Sequence, residues 1–414
     1  MNMRLFLSVL SFVLLLYPQF SRGQNFYKID SIINAEICQH NIAGGVAYVY
    51  QNNKVLFHKA YGFANIATQT PMQVNSIFRI ASQTKAIVSI AALQLVEKGK
   101  IGLDDPIEKY IPAFSKQQVA IISSDTFRIV NKIRSITLRD LLTHQAGISS
   151  QDEYPAYKAL FTKFGLNLPL SQGFSSLKDE VDQIAAMPLV HQPGERFSYG
   201  LSTNVVGRLI EIVTGANLDT YLLKNIFNPL GMSDTYFYLP SSKKDRLVKV
   251  YTKVNKDSLM EADLSSFHFD YPLNNQSKYF SAIGGLVSTT QDYATFLQCL
   301  LNNGIAKSGK RIIGARILNE FLTNQLGDKT FIFGGVKSLN NFGLGVGLTT
   351  QPGQKLNKAT PGSFFWGGAF NTAYMVDRNR KLITLFYFQR APFVLSSLLS
   401  KLEKTTIEII DESR

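Results

Sequence analysis

The sequence predicts an α+β protein: one antiparallel sheet built from both ends of the chain and flanked by helices, with a mainly helical region inserted between its halves. Three observations predict it. Two strand-like runs joined by a tight turn lie near the start of the chain, and two more lie near its end. The long stretch between them carries apolar residues at spacings of three and four, the helical period.

The elements follow in order. Phe26 to Cys38 reads as a short helix. Gly45 to Tyr50 and Val55 to Tyr61 read as strands, with Asn52-Asn53 supplying the left-handed conformations that a hairpin turn needs. Helices are predicted over Thr84 to Lys98, Leu138 to Thr143, Asn204 to Thr214, Leu218 to Ile226 and Thr290 to Asn302. Gly99, Pro106, Gly215 and Pro229 punctuate them. A second hairpin pairs Asn371 to Val376 with Leu382 to Phe388 across Asp377 to Arg380. A closing helix then sets Leu395, Leu398, Leu399, Leu402, Ile407 and Ile410 on one face. A sheet beside a helical region leaves a cleft between them, where sites tend to form.

Of the 414 residues, 45% are hydrophobic and 18% charged, the balance of a core-forming chain. Residues 1–23 stand apart. Arg4 precedes an apolar run from Leu5 to Leu16, Pro18 breaks it, and small residues precede Gln24. That is the layout of a secretory signal peptide, and the run is too short for a membrane anchor. Residues 24–414 are therefore expected to form one exported domain, periplasmic or secreted, with no membrane span after signal removal. The formal net charge is +13, but the basic residues are scattered and form no nucleic-acid motif. Lys243-Lys244-Asp245-Arg246, the densest cluster, reads as a solvated loop. Cys38 and Cys299 are too few for a disulfide scaffold, and buried free thiols are the expectation.

Several catalytic signatures are absent from the sequence. There is no H-E-x-x-H, no G-x-S-x-G and no Walker loop, and the five His lack ligand spacing, so neither a metal nor an organic cofactor is expected. S-x-x-K occurs three times, at Ser82 to Lys85, Ser175 to Lys178 and Ser241 to Lys244. Only Ser82 follows an apolar run (Phe78-Arg79-Ile80-Ala81) and opens a long amphipathic helix carrying Ile87, Ile90, Leu93, Leu95 and Val96. Residues three apart share a helix face, so Lys85 reaches the Ser82 hydroxyl. The helix N-terminus favours a developing oxyanion. Burial there lowers the Lys85 pKa and makes a neutral amine available as a base. Taken alone, the tetrapeptide fits equally a helix-start serine with a surface lysine.

The segments that follow decide between these readings. They are Gly102-Leu103-Asp104-Asp105-Pro106, Leu141-Leu142-Thr143-His144-Gln145-Ala146-Gly147, Pro193-Gly194-Glu195-Arg196-Phe197-Ser198-Tyr199, Asn228-Pro229-Leu230-Gly231-Met232 and Gly284-Gly285-Leu286-Val287-Ser288-Thr289. With Phe78 to Lys85 in front, this ordered set resembles the serine β-lactamase and penicillin-binding-protein superfamily over nearly all of the mature chain. Within it, the chain most resembles class C-like esterases.

The resemblance implies a β-lactamase/transpeptidase-like fold and a two-step acyl transfer through Ser82. It also implies that Tyr199 shares proton transfer with Lys85, as a phenol beside a cation loses its proton more readily. Leu201 stands where the family's Tyr-x-Asn carries an amide. Trp366-Gly367-Gly368 stands where Lys-Thr-Gly or His-x-Gly is usual on an edge strand. Gly-Gly permits close backbone approach, and the resemblance implies that the Ala369 N–H joins that of Ser82 as oxyanion hole. Both departures point away from β-lactams and towards esters with apolar acyl groups. His144 is expected to pack or hydrogen-bond in a helix, and Asp104-Asp105-Pro106 to form a turn and helix start.

The expected partner is a small ester, amide or β-lactam. The rivals are a peptidoglycan D,D-carboxypeptidase or β-lactamase, an acyltransferase, and a non-catalytic envelope-binding protein. The oligomeric state stays open.

Overall fold

A computed structural model describes residues 26–123, 126–149, 157–158, 174–255, 258–264, 271–274, 276–333 and 335–413. Residues 1–23, expected from the sequence to be a signal peptide, lie outside the described residues.

An eight-stranded antiparallel sheet joins the two ends of the chain. Its N-terminal pair, Gly44–Gln51 and Lys54–Asn65, turns through Asn52 and Asn53, both with positive φ as the sequence required. The first of these strands pairs with the C-terminal strand Leu382–Phe388, in a register running from Gly45 opposite Phe388 to Gln51 opposite Leu382. Thr372–Asp377 and Phe364–Gly368 follow outwards, then the short strands Gly347–Leu348 and Asn341–Phe342. The Trp366 strand is therefore interior, not an edge. The small hairpin 341–348 covers it, and no periodicity in so short a segment announces that.

Side-chain alternation along these strands divides the core in two. Val46, Tyr48, Trp366, Tyr374, Ile383, Leu385 and Tyr387 face the helical region. Ala47, Val49, Ala373, Met375, Phe386 and Phe388 face the two terminal helices, Tyr27–Cys38 and Ser396–Glu412. The first terminal helix buries only Ile29 and Ile33. Cys38 consequently ends up exposed while Cys299 is buried, and both are free thiols, which corrects the expectation that both would be buried.

The helical elements sit where the spacing placed them, within a residue or two: Leu138–Leu142, Ser202–Thr214 and Thr290–Leu301. The helix predicted over Leu218 to Ile226 is α-helical only as Leu218–Leu222, and its last turn is a π turn. One difference bears on function. The helix Thr84–Glu97 is not amphipathic, since all twelve residues from Thr84 to Leu95 are buried, the polar Lys85, Ser89 and Gln94 included. Gln94 is accommodated by donating to the carbonyls of Ile312 and Asn225. A helix apolar on every side is a central core element, so whatever projects from its first turn sits in a dry environment.

Candidate active site

The chain reaches Ser82 through a local conformation that side chains rarely adopt. Phe78–Arg79 pairs with Val287–Ser288, and Ala81 then takes φ 44° before a short 3-10 turn, Ala81–Gln83, runs into the buried helix. A non-glycine residue in the left-handed region costs about 1 kcal/mol. Neighbours hold it there. Gln83 accepts from Tyr387 Oη at 2.6 Å through its side chain and from Tyr293 Oη at 2.9 Å through its carbonyl. Gly368 passes so close that a Cβ on it would lie 2.3 Å from the Ile80 carbonyl oxygen. Gly368 thus lets the sheet press against the segment just before Ser82. Ser82 is left half-buried between buried neighbours.

Lys85 lies under Ser82, its Nζ 3.2 Å from Oγ and 2.6 Å from the Ile283 carbonyl oxygen. It is 3% exposed, and among the described residues no carboxylate forms an ion pair with it. Burial without a counter-ion destabilises the ammonium, and the Lys85 pKa falls to about 7. The other two S-x-x-K segments lack this setting. Lys178 is an exposed partner of Asp182, and Ser241 to Lys244 lies in a 3-10 turn without a buried residue.

Tyr199 completes the cluster, with Lys85 Nζ 4.8 Å from its ring centroid. Among the described residues its buried hydroxyl meets no partner at hydrogen-bonding geometry. Burial lifts its pKa to about 12, opposed by the facing Ser82 hydroxyl and Trp366 indole. The phenol is therefore a poor acid here, contrary to the expectation that it would ionise readily. Burial outweighs the neighbouring Lys85, whose amine is itself only partly charged near neutral pH.

His144 lies just past the helix Leu138–Leu142, whose start is closed by a Thr137–Asp140 capping box. It takes φ 54°, outside the helical setting assumed for it. Its ring packs on Tyr199 at 4.6 Å, Phe197 at 5.7 Å and Phe342 at 5.8 Å. Desolvation, then the nearby Lys85, drives its pKa well below the usual value. It is a neutral packing residue. Asp105 closes the Gly102 turn and Asp104 pairs with Arg139, as a turn and helix start require.

Trp366 contacts Tyr199 at 5.7 Å and is itself walled by Phe331 at 6.2 Å, Phe333 at 5.6 Å and Phe342 at 5.2 Å. Phe333 also meets Tyr199 edge-on at 5.1 Å and remains 42% exposed. The three phenylalanines escaped sequence reasoning. Phe331, Ile332 and Phe333 form an aromatic run in a Gly-rich stretch, a signal open to reading only as a loop. Leu201, whose side chain is buried, caps the helix that follows Tyr199 and lines a small cavity with Gln117, Ile148, Tyr157 and Met187. Ala369 is exposed at the end of the Trp366 strand. No group of three or more His, Cys, Asp or Glu suited to a metal occurs among the described residues.

Fold and site together place a half-buried serine at the entry to a buried helix, with a lysine three residues on beneath it. Residues 29–398 match the model of the Beta-lactamase family, and the chain belongs to that family. Its members are serine hydrolases and acyltransferases. Among its relatives is monacolin J acid methylbutanoyltransferase of Aspergillus terreus, 28% identical over 78% of this chain and 79% of that protein. Another is esterase EstB of Burkholderia gladioli, 28% identical over 54% of each chain. The fold is that of EstCE1, a hydrolase with promiscuous acyltransferase activity. That structure superposes with a TM-score of 0.76 at 20% identity, covering 94% of this chain and 99% of the other.

Proposed function

We propose that residues 24–414 form an exported serine hydrolase that cleaves uncharged esters with apolar acyl groups through an acyl-enzyme on Ser82. The observation that carries the reading is the buried Lys85 amine, without a counter-ion and 3.2 Å from the Ser82 hydroxyl. With its pKa at about 7, a large share of Lys85 is neutral at physiological pH and able to take the Ser82 proton. Ser82 Oγ then bonds to the ester carbonyl carbon, and the Ser82 and Ala369 N–H groups hold the oxyanion. As the intermediate collapses, the proton passes from Lys85 by way of the Tyr199 hydroxyl to the leaving oxygen. Water repeats the sequence and releases the acid. Tyr199 serves as a relay whose resting form is the protonated phenol, giving its proton to the leaving oxygen as it takes one from Lys85. Export rests on the layout of residues 1–23.

Ester preference follows from the wall of the site. Trp366, Phe331, Phe333 and Phe342 present rings where a substrate carboxylate would require a cation. Incubation with a p-nitrophenyl ester and acid quench should leave one acyl group on the peptide containing Ser82. Acylation elsewhere, or none during turnover, overturns the reading. Truncating the half-exposed Phe333 to alanine should raise KM for aromatic or long-chain acyl esters by about tenfold and leave acetyl esters within about twofold. A chain-length series of p-nitrophenyl esters measures this.

The Aspergillus terreus relative supports a second reading, in which an alcohol replaces water as acyl acceptor. Mass analysis of products formed with added butanol separates the two.

A further inference from the structure

Among the described residues Lys85 has two hydrogen-bond partners, and only one of them is Ser82. The other is the Ile283 carbonyl oxygen, 2.6 Å from Nζ. Ile283 is held in turn. Its backbone N–H donates to Asn204 Oδ1 at 3.0 Å, and Asn204 Nδ2 donates to Glu180 Oε2 at 2.6 Å. Glu180 Oε2 also accepts from Tyr279 Oη at 2.8 Å. Asn204 and Glu180 are fully buried, and Asn204 lies on the helix that starts just after Tyr199. The amide has one workable orientation. Flipped, it would set its NH2 against the Ile283 N–H and its oxygen against a carboxyl.

We propose that Asn204 is a positioning residue that holds the Lys85 amine in its working orientation through the backbone of Ile283. A neutral lysine amine has two hydrogens and one lone pair. Committing one N–H to the Ile283 oxygen removes the freedom to spin and leaves the lone pair to face the Ser82 O–H. Glu180 fixes the Asn204 amide, the amide fixes Ile283, and Ile283 fixes Lys85. The chain draws residues from four separate elements, so only tertiary packing assembles it. The groups around Lys85 are Ser82, the Tyr199 ring and the neutral His144 ring, with Glu180 and Tyr279 behind Asn204. The proposal rests on Lys85 being the base of the reaction argued above.

The test compares kcat, KM and pH profiles on a soluble p-nitrophenyl ester for wild type, Ser82→Ala, Asn204→Leu and the exchange Glu180→Gln with Asn204→Asp. Asn204→Leu should lower kcat by about 10–100-fold with KM changed by less than about twofold. Its acid limb should move to lower pH, because the carbonyl that stabilised the ammonium is no longer held on it. The exchange, made in a Tyr279→Phe background because Tyr279 donates to the same Glu180 oxygen, swaps donor and acceptor, so aspartate accepts from the Ile283 N–H and from the new glutamine amide. It should restore kcat to within about threefold of wild type. Its acid limb should move to higher pH, since a carboxyl now stands closer to Lys85.

A structural tie between helices would leave the acid limb of Asn204→Leu in place, so that downward shift, together with recovery of kcat in the exchange, is what distinguishes the positioning role. The positioning role is overturned if folded Asn204→Leu keeps the wild-type kcat and limb, if KM alone rises, or if a stable exchange variant recovers no activity. Should Asn204→Leu not fold, Asn204→Ser replaces it, being too short to bridge Ile283 and Glu180. Ser82→Ala separates the failures: an active Ser82→Ala sinks the reaction itself, while an inert one beside an unaffected Asn204 variant sinks only this role.

Discussion

Ser82→Ala should reduce kcat/KM for ester cleavage by about 10⁴-fold or more, because the proposed reaction runs through an acyl group on Ser82 and the oxyanion donors alone preserve little. The fold should be unaffected. Ser82 is half-buried, its Oγ is one of two hydrogen-bond partners of Lys85 among the described residues, and the Ile283 carbonyl still accepts from the amine. The turn itself is held by Gln83, which Tyr387 and Tyr293 anchor. The variant should therefore melt within about a degree of wild type and still bind a slow substrate, measured by thermal shift, while a fluorophosphonate probe no longer labels it. Retained esterase activity in purified Ser82→Ala would defeat the assignment. If wild type also failed to take the probe or turn over any ester, a binding protein that keeps the fold without the chemistry would be favoured.

Much of this site was legible because its parts are local. Ser82 and Lys85 lie one helical turn apart, and the apolar run before them announces a strand leading into a helix. The hairpin at Asn52-Asn53 and the pairing of both chain ends were equally readable, since period-two alternation and turn residues need no partner to be recognised. What was misread depended on tertiary surroundings. The helix behind Lys85 carries Ser89 and Gln94, which suggest a wet face; the structure buries both and gives Gln94 carbonyl partners from distant loops. Tyr199 was expected to ionise because a cation was assumed beside it. Burial acts on both groups at once, lowering the pKa of Lys85 and raising that of Tyr199. Trp366 was placed on an edge because residues 341–348 are too short to read as strands. The wall of Phe331, Phe333 and Phe342, and the path from Glu180 to Ile283, draw residues far apart in sequence that carry no spacing to reveal them.

Lys85 links activity and stability in opposite directions, and this yields the second large effect. The pH profile comes first. If Lys85 is the base, kcat/KM should rise about tenfold per pH unit below pH 7 and level off above it, tracking the fraction of neutral amine. His144 stays neutral through that range and Tyr199 keeps its proton to about 12, so neither adds a limb there. Were Tyr199 the base, activity would keep climbing far into alkali. Replacing Lys85 with methionine preserves length and apolar volume but removes the base, and should cost about 10³–10⁴-fold in kcat.

The same substitution should stabilise the fold. The Lys85 pKa is depressed from 10.5 to about 7 in the folded state. Below about pH 7 the folded protein carries a buried ammonium at full cost. From there to about pH 10.5 the unfolded chain binds the extra proton, so stability rises with pH and the penalty fades. Allowing for the Ile283 carbonyl left without its partner, Lys85→Met should gain roughly 2–3 kcal/mol at pH 6 and close to nothing at pH 9. Thermal melts at the two pH values measure the difference. A gain that is absent at pH 6, or equal at both, would mean that Lys85 is not held against its own charge. The amine beside Ser82 would then be an ordinary surface-like cation and no general base.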